Sequence, residues 1–361
     1  MLTPFDDFPV HQTSAPLART VSGDRNHYDR YWFNGYTADG SLFFAVALGL
    51  YPNREVMDAA VSVVHRGVQT SLHASRRAPA DRTTAVGPIT VRVDDPLRRL
   101  TVSVAPNESG ITGALTFAAR TVACEEPHFV VPNLGMDYTR LTQFGRWEGA
   151  LTVGGNELPL VGAVGTRDRS WGVRPVGERD VRPPGPLPQI CWQWIPVNFD
   201  DVCTHADFQE DADGRPSHRY GVVLPVIEDG APVTAPVEPM MAVERHIDWR
   251  PGTRRADRAV LTMTALHGEE RVIELTPMLD FQMCGLGYLH PAWGHGMWKG
   301  EEVVGTEVWD LAELDPMAPQ NLHVQQLCRA TMGARTGTGV LELLIVGPHR
   351  PSGFRDLLDP A

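Results

Sequence analysis

The sequence predicts an all-β protein, and three observations carry that prediction. Between Gly87 and Arg120, Ile89, Val91 and Val93 alternate with polar residues, as do Leu100, Val102 and Val104, and Ile111, Leu115 and Phe117 follow. A period of two is the spacing of strands with one buried face. The clusters DDPLRR and PNESG interrupt these runs at intervals of about ten residues, the rhythm of an antiparallel meander, sandwich or barrel. The same beat returns late in the chain: Leu261, Met263 and Ala265, a turn at HGEE, then Ile273 and Leu275, and GVLELLIVG as a last buried strand. Convincing helical periodicity is scarce throughout.

The elements follow in order. The acidic start MLTPFDDFPVHQ lacks the basic and apolar parts of a secretory signal, so export by that route is not expected. LFFAVALGLY, Leu42 to Tyr51, is half the roughly 20 residues needed to cross a bilayer and reads as a buried strand, with no transmembrane segment expected. Asp58 to Arg77 could be helical, but Gly67 and the β-branched residues around it favour a hairpin. The proline-rich GERDVRPPGPLPQI, Gly177 to Ile190, cannot sit inside a sheet, and it divides the chain into residues 19–182 and 188–350. EDADGRPSHR reads as a hairpin tip turned by Asp213 and Gly214.

Composition narrows the function. A chain of 361 residues, 42% hydrophobic and 21% charged, has the make-up of a folded protein with room for two medium domains or one large β domain. Its net charge of -12 and scattered arginines exclude the basic footprint of a nucleic-acid or anionic-membrane binder. Five cysteines at wide spacing, with no C-x-x-C pair, argue against a disulfide framework and a structural zinc site, and suggest reduced thiols in a cytoplasmic protein.

Motifs for common chemistry are missing. GARTGTG has neither the order nor the context of a phosphate cradle, and no G-x-S-x-G elbow occurs. His290 and His295, with a third ligand such as His323, match no standard metal spacing, so neither metal nor organic cofactor is expected. The stretch Gly287 to Leu311 gathers Tyr288, His290, Trp293, His295, Trp298 and Trp309 with Glu301, Glu302, Glu307 and Asp310. It reads either as a packed aromatic core or as a cavity wall whose ring faces could stabilise a cation by about 1 to 2 kcal/mol each.

GTRDRSWG, Gly165 to Gly172, also has two readings. As a strand it would send Thr166, Asp168 and Ser170 to one face and Arg167 and Arg169 to the other, leaving the carboxyl inward and the guanidiniums in water. Burial would then raise the carboxyl pKa and keep its proton. Alternatively Asp168 pairs with Arg174 or caps the turn into GVRP.

DRSWG, followed about twenty residues later by CWQWIP with Trp192 and Trp194, resembles the carotenoid 1,2-hydratase (hydroxyneurosporene synthase) family. The resemblance spans most of the chain and implies two tandem lipocalin-like antiparallel β-barrels. Members add water to isoprenoid double bonds, and related proteins act as cyclases or pericyclases. Carried over by position, Asp168 matches the catalytic acid, and Trp171, Trp192 and Trp194 match pocket aromatics. Where the hydratases carry a tyrosine two residues before the acid this chain has Thr166, which removes the usual proton-tuning partner.

The expected activity is therefore that of a lyase or isomerase, a hydratase or cyclase in which Asp168 protonates a double bond of a terpenoid, sterol or polyene. His295, His290 or Glu307 would take the returning proton or orient water. Two other classes stay open: a non-catalytic isoprenoid or lipid carrier, and a pericyclase that works by cavity shape without proton donation.

Overall fold

The computed structural model describes residues 4–176, 189–227 and 236–361. Among them are no α-helices; strands are joined by turns and short 3₁₀ segments. The strands form two large antiparallel sheets, which curl into two lipocalin-like barrels.

The first sheet runs, neighbour to neighbour, through Val68–Arg77, Val56–His65, Leu42–Tyr51, His27–Tyr36, Val164–Val173, Met136–Val153, Thr112–Ala119, Arg99–Val104, Ile89–Asp95 and Ala85–Val86. Most of the alternating apolar residues between Gly87 and Arg120 point into its interior, where Ile89, Val91, Leu100, Val102, Leu115 and Phe117 pack with Phe33, Phe44 and Trp147, while Val93, beside an irregularity in the pairing, is exposed. Asp58 to Arg77 is a hairpin, turned at Arg66 and Gly67, both with positive φ. Leu42–Tyr51 is buried along its whole length because one face lines the barrel and the other meets the second barrel.

The second sheet orders Pro216–Pro225, Val202–Glu210, Ile190–Asn198, Arg335–Val346, His323–Met332, Glu270–Gln282, Ala256–Thr264 and Ala242–Trp249. Its ends approach at Gly221, where an added Cβ would lie 2.3 Å from Val243. Only glycine permits that approach. The Asp213–Gly214 turn joins Val202–Glu210 to Pro216–Pro225, with Gly214 at φ 81°.

The proline-rich stretch between the halves lies almost wholly outside the described residues. One strand crosses over: Glu302–Asp310 comes from the C-terminal half but pairs with Val68–Arg77 at the edge of the first sheet. A further apolar cluster lies between the barrels. It draws Tyr28, Trp32, Tyr36 and Phe43 from the first, and Trp192, Trp194, Phe281 and Leu327 from the second.

Candidate functional site between the barrels

Strand Val164–Val173 is flanked by His27–Tyr36 and Met136–Val153, and the register sets Asp168 opposite Trp32 on one side and Thr142 on the other. Strand alternation sends Thr166, Asp168 and Ser170 toward the second barrel, as the sequence predicts. The opposite face is not solvent, which corrects the expectation for the arginines. Arg167 is 3% exposed, donates from Nε to Gln143 Oε1 at 2.8 Å and lies over the Phe117 ring inside the first barrel. Arg169 is half-buried, stacked 4.0 Å from the Tyr31 ring centroid and paired with Asp29. In a closed barrel the second face of a strand is interior, so these guanidiniums are sequestered. Near its end the strand carries Gly172, whose φ of 139° and 2.4 Å clearance from Asp137 O to a would-be Cβ admit no side chain.

Asp168 is half-buried and, among the described residues, forms no hydrogen bond or ion pair, so the reading that paired it with Arg174 does not hold as a contact. Loss of water pushes its carboxyl up to about 6; Arg140, Arg30 and Arg174 act against that shift and Glu126 adds to it. Burial alone would keep the proton in place. The three guanidiniums instead leave the group poised near neutral pH. Thr166 does not contact the acid: its Oγ1 and its backbone N–H both donate to Asn34 Oδ1 at 2.8 Å.

Asn34 carries the connection to the second barrel by donating to Gln325 Oε1 at 3.3 Å. Gln325 Nε2 donates to Glu342 Oε2 at 2.6 Å, and Glu342 also accepts from His323 Nε2 at 2.8 Å and Trp192 Nε1 at 3.3 Å. A second bridge runs through Arg140, which binds Glu126 of its own barrel and Asp207 of the other, at 2.9 Å to Asp207 Oδ2, and lies over Trp192. His205 and His218 complete it, at 3.2 Å from Glu126 and 2.7 Å from Asp207. Trp194 meets Trp32 edge to face at 5.5 Å. The indole N–H groups of both are buried without acceptors.

On the other flank, Arg30 Nη1 donates to the Tyr288 hydroxyl at 3.0 Å and to His295 Nδ1 at 3.4 Å. His295 donates from Nε2 to Leu286 O at 2.8 Å, so its Nδ1 is the bare nitrogen, and burial beside Arg30 and Arg174 holds it neutral, well below the usual histidine range. Tyr288 lies between His295 and His323, 4.5 and 4.7 Å from their rings. A second carboxyl, Asp58, is also raised to about 6 by burial; it accepts from Gly296 N at 2.6 Å.

The remaining sequence candidates lie elsewhere. His290 Nδ1 accepts two backbone N–H groups, from Ala292 and Trp293, which fixes its proton on Nε2, 2.8 Å from Glu307 Oε2. His73 Nε2 reaches the same oxygen at 3.1 Å, and Trp293 stacks on the His73 ring. Burial would raise the Glu307 pKa, but the bonds from His290 and His73 outweigh it and hold the carboxyl at about 2. Trp309 is half-buried on the same edge strand; Trp298 is exposed beneath Arg77; Trp171 is 41% exposed. The site thus gathers Asp168, Trp192, Trp194, Tyr288 and His295, and leaves Glu307, His290, Trp293, Trp298, Trp309 and Trp171 apart, with Thr166 as its anchor.

Among the described residues, three groups bring metal-ligating atoms within 4.8 Å of one another. In His73, His290 and Glu307, the two N–H donors on His290 Nδ1 forbid the tautomer that would free Nε2 for a metal. In Glu126, His205 and Asp207, the Arg140 guanidinium occupies the cation's place. In Cys191, Glu210 and His349, Glu210 is taken by Arg219 and Arg245, and burial pushes the Cys191 thiol up to about 12. All three are better described as hydrogen-bonded charge clusters.

Sequence reasoning missed Arg30, Arg140, Asp58, Glu126 and Asp207, and considered Arg174 only as an ion-pair partner of Asp168. Only HYDRYWFNGY carried a signal: Tyr28, Arg30, Trp32 and Asn34 alternate there and share one face.

A model of a family of unknown function (DUF8625) matches residues 2–355. The curated proteins give no match. Among solved structures, the chain is similar to a Nitrosomonas europaea protein assigned as AttH (NE1406), at 15% identity and TM-score 0.52, covering 88% of this chain and 93% of that one. Kievitone hydratase from Nectria haematococca is similar at 15% identity and TM-score 0.50, covering 88% of each chain. CghA solved with Sch210972 is similar at 12% identity and TM-score 0.52, covering 89% of each. At such identities what is shared is the fold, and the resemblance to the tandem-lipocalin, carotenoid hydratase-like group holds at that level.

Proposed function

We propose, for a chain that belongs to the family of unknown function DUF8625, a hydratase- or cyclase-type reaction in which Asp168 protonates a carbon–carbon double bond of a terpenoid or similar largely apolar skeleton held between the barrels. The observation that carries this reading is a carboxyl without a partner among the described residues, raised to about 6, beside the paired rings of Trp32 and Trp194. The shared fold of kievitone hydratase and CghA supports the reaction class and a small-molecule substrate.

A general acid works best with a pKa near the working pH, where it contributes about 10²- to 10⁴-fold. At about 6, Asp168 is protonated in roughly a tenth of molecules at pH 7. Its proton forms a C–H bond as the π bond breaks, leaving a cation on the adjacent carbon. The faces of Trp32 and Trp194 would stabilise that charge by about 1 to 2 kcal/mol each. Capture by water gives an alcohol and capture by a second double bond a ring; loss of a proton to the Asp168 carboxylate gives an isomer. His295 contributes through Arg30, whose position it fixes. Five free, buried cysteines suit a reducing, cytoplasmic setting for this activity.

The test is incubation with isoprenoids, sterols and polyenes in D₂O, parent against Asp168→Asn. Deuterium in products of the parent alone supports the reading. Product without deuterium, formed equally by the variant, would mean catalysis by shape. Equal ligand binding by both with no turnover across the panel would mean a carrier.

A further inference from the structure

Two arginines in the inter-barrel site lack the partners that buried guanidiniums require. Arg30 is 1% exposed; its Nη1 is used, but Nε and Nη2 are buried without an acceptor. Arg174 has the same two nitrogens, Nε and Nη2, buried and unpaired. Neither forms an ion pair with a carboxylate among the described residues. Both lie against the Tyr288 ring, at 4.8 and 5.7 Å from its centroid, and Arg174 also covers Tyr28 at 4.6 Å. Aromatic faces hold the two cations close together, yet rings accept no N–H in the guanidinium plane. Other buried guanidiniums among the described residues are better supplied: Arg140 binds Glu126 and Asp207, Arg254 binds Asp359 and backbone carbonyls, and Arg255 leaves only Nε without an acceptor while pairing with Asp280.

Unsatisfied buried N–H groups are costly, and a ligand that completes them removes that cost. The planar fork of arginine matches two oxygens of one anion. We propose that Arg30 and Arg174 form the binding site for an anionic oxygen group of the substrate, a carboxylate or an ionised enol. This rests on the proposed reaction for the word substrate, and it narrows that substrate to an amphiphile: an apolar skeleton against Trp32 and Trp194, and an acidic head on the arginines. Fixing the head would set which double bond lies at Asp168.

The test uses two probes of one skeleton, geranic acid and geraniol, titrated into the full chain at pH 8 with tryptophan fluorescence and calorimetry as readouts. The parent is expected to bind geranic acid at least tenfold more tightly than geraniol. Arg174→Gln and Arg30→Gln should each lose at least tenfold for the acid and little for the alcohol, with Arg174→Lys intermediate because it keeps the charge and loses the fork. Asp168→Asn should retain the preference for the acid, whatever it does to turnover, so failure of the anion site and failure of the catalytic reading are read separately. Equal or tighter binding of geraniol by the parent, no saturable binding of geranic acid, or an unchanged preference in Arg174→Gln would overturn the proposal. The comparison of the two probes on the parent stands even if an arginine variant does not fold.

Discussion

Trp32 and Trp194 meet edge to face with ring centroids 5.5 Å apart, one ring from each barrel, and Trp32 is the register neighbour of Asp168. The contact places an apolar, electron-rich surface next to the strand position of a carboxyl raised to about 6 by burial. The two tryptophans come from strands separated in sequence by the whole first barrel, so the site exists only when the barrels are docked.

Replacing Trp194 by leucine keeps the contact apolar while removing the ring face. The account expects kcat to fall about tenfold with a smaller change in KM, because cation stabilisation operates in the transition state and not in the ground state. A thermal melt alongside the kinetics separates this from loss of packing.

The rate should follow the protonated fraction of Asp168. A plot of log kcat against pH from 4.5 to 9 is expected to be flat at the acid end and to descend with a slope of −1 above about 6. His295, held well below the usual histidine range by burial beside Arg30 and Arg174, is not expected to shape the profile above about 6.

Holding Asp168 in this environment costs stability. Its folded pKa of about 6 exceeds the ordinary value of 3.8, so between those values the folded state binds more protons than the unfolded state, and stability falls as pH rises. The penalty is complete above about 6 and relieved below about 4. Asp168→Asn should therefore raise stability at pH 7.5 by about 1 to 3 kcal/mol, at 1.4 kcal/mol per pKa unit, with the gain vanishing at pH 4. Urea unfolding at the two pH values checks this.

Glu307 should behave in the opposite sense. Held at about 2 by His290 and His73 against an ordinary value of 4.5, it stabilises the fold above 4.5 and loses that contribution as pH falls toward 2. Glu307→Gln is expected to cost about 1 to 2 kcal/mol at pH 7, discounted for partial solvent access, and to loosen the edge strand Glu302–Asp310, as read by faster amide exchange in that strand.

The fold was legible because strand alternation is a local signal: Ile89 to Phe117 and Leu261 to Leu275 show their buried faces without reference to partners. The inward direction of Asp168 was legible for the same reason, and the resemblance carried by DRSWG and CWQWIP drew attention to it. The arginines were not. Period two says that Arg167 and Arg169 face away from Asp168, but only closure of the barrel shows that away means inside. Arg30 and Arg140 are brought near the acid by strand register, which no spacing encodes, whereas Arg174 follows in the same stretch and was visible only as a possible ion-pair partner. The aromatic stretch Gly287 to Leu311 divides for a like reason: Tyr288 and His295 turn to the site, while the strand carrying Glu307 and Trp309 leaves to pair with Val68–Arg77.

The most direct measurement is the titration of the Asp168 carboxyl itself, by carbon-13 NMR of aspartate side-chain carbons in the parent and in Asp168→Asn. A resonance with a midpoint near 6 should vanish in the variant while a second one, from Asp58, remains. If the resonance lost in the variant titrates near 4 or below, Asp168 is an ordinary solvated carboxylate and cannot supply the proton.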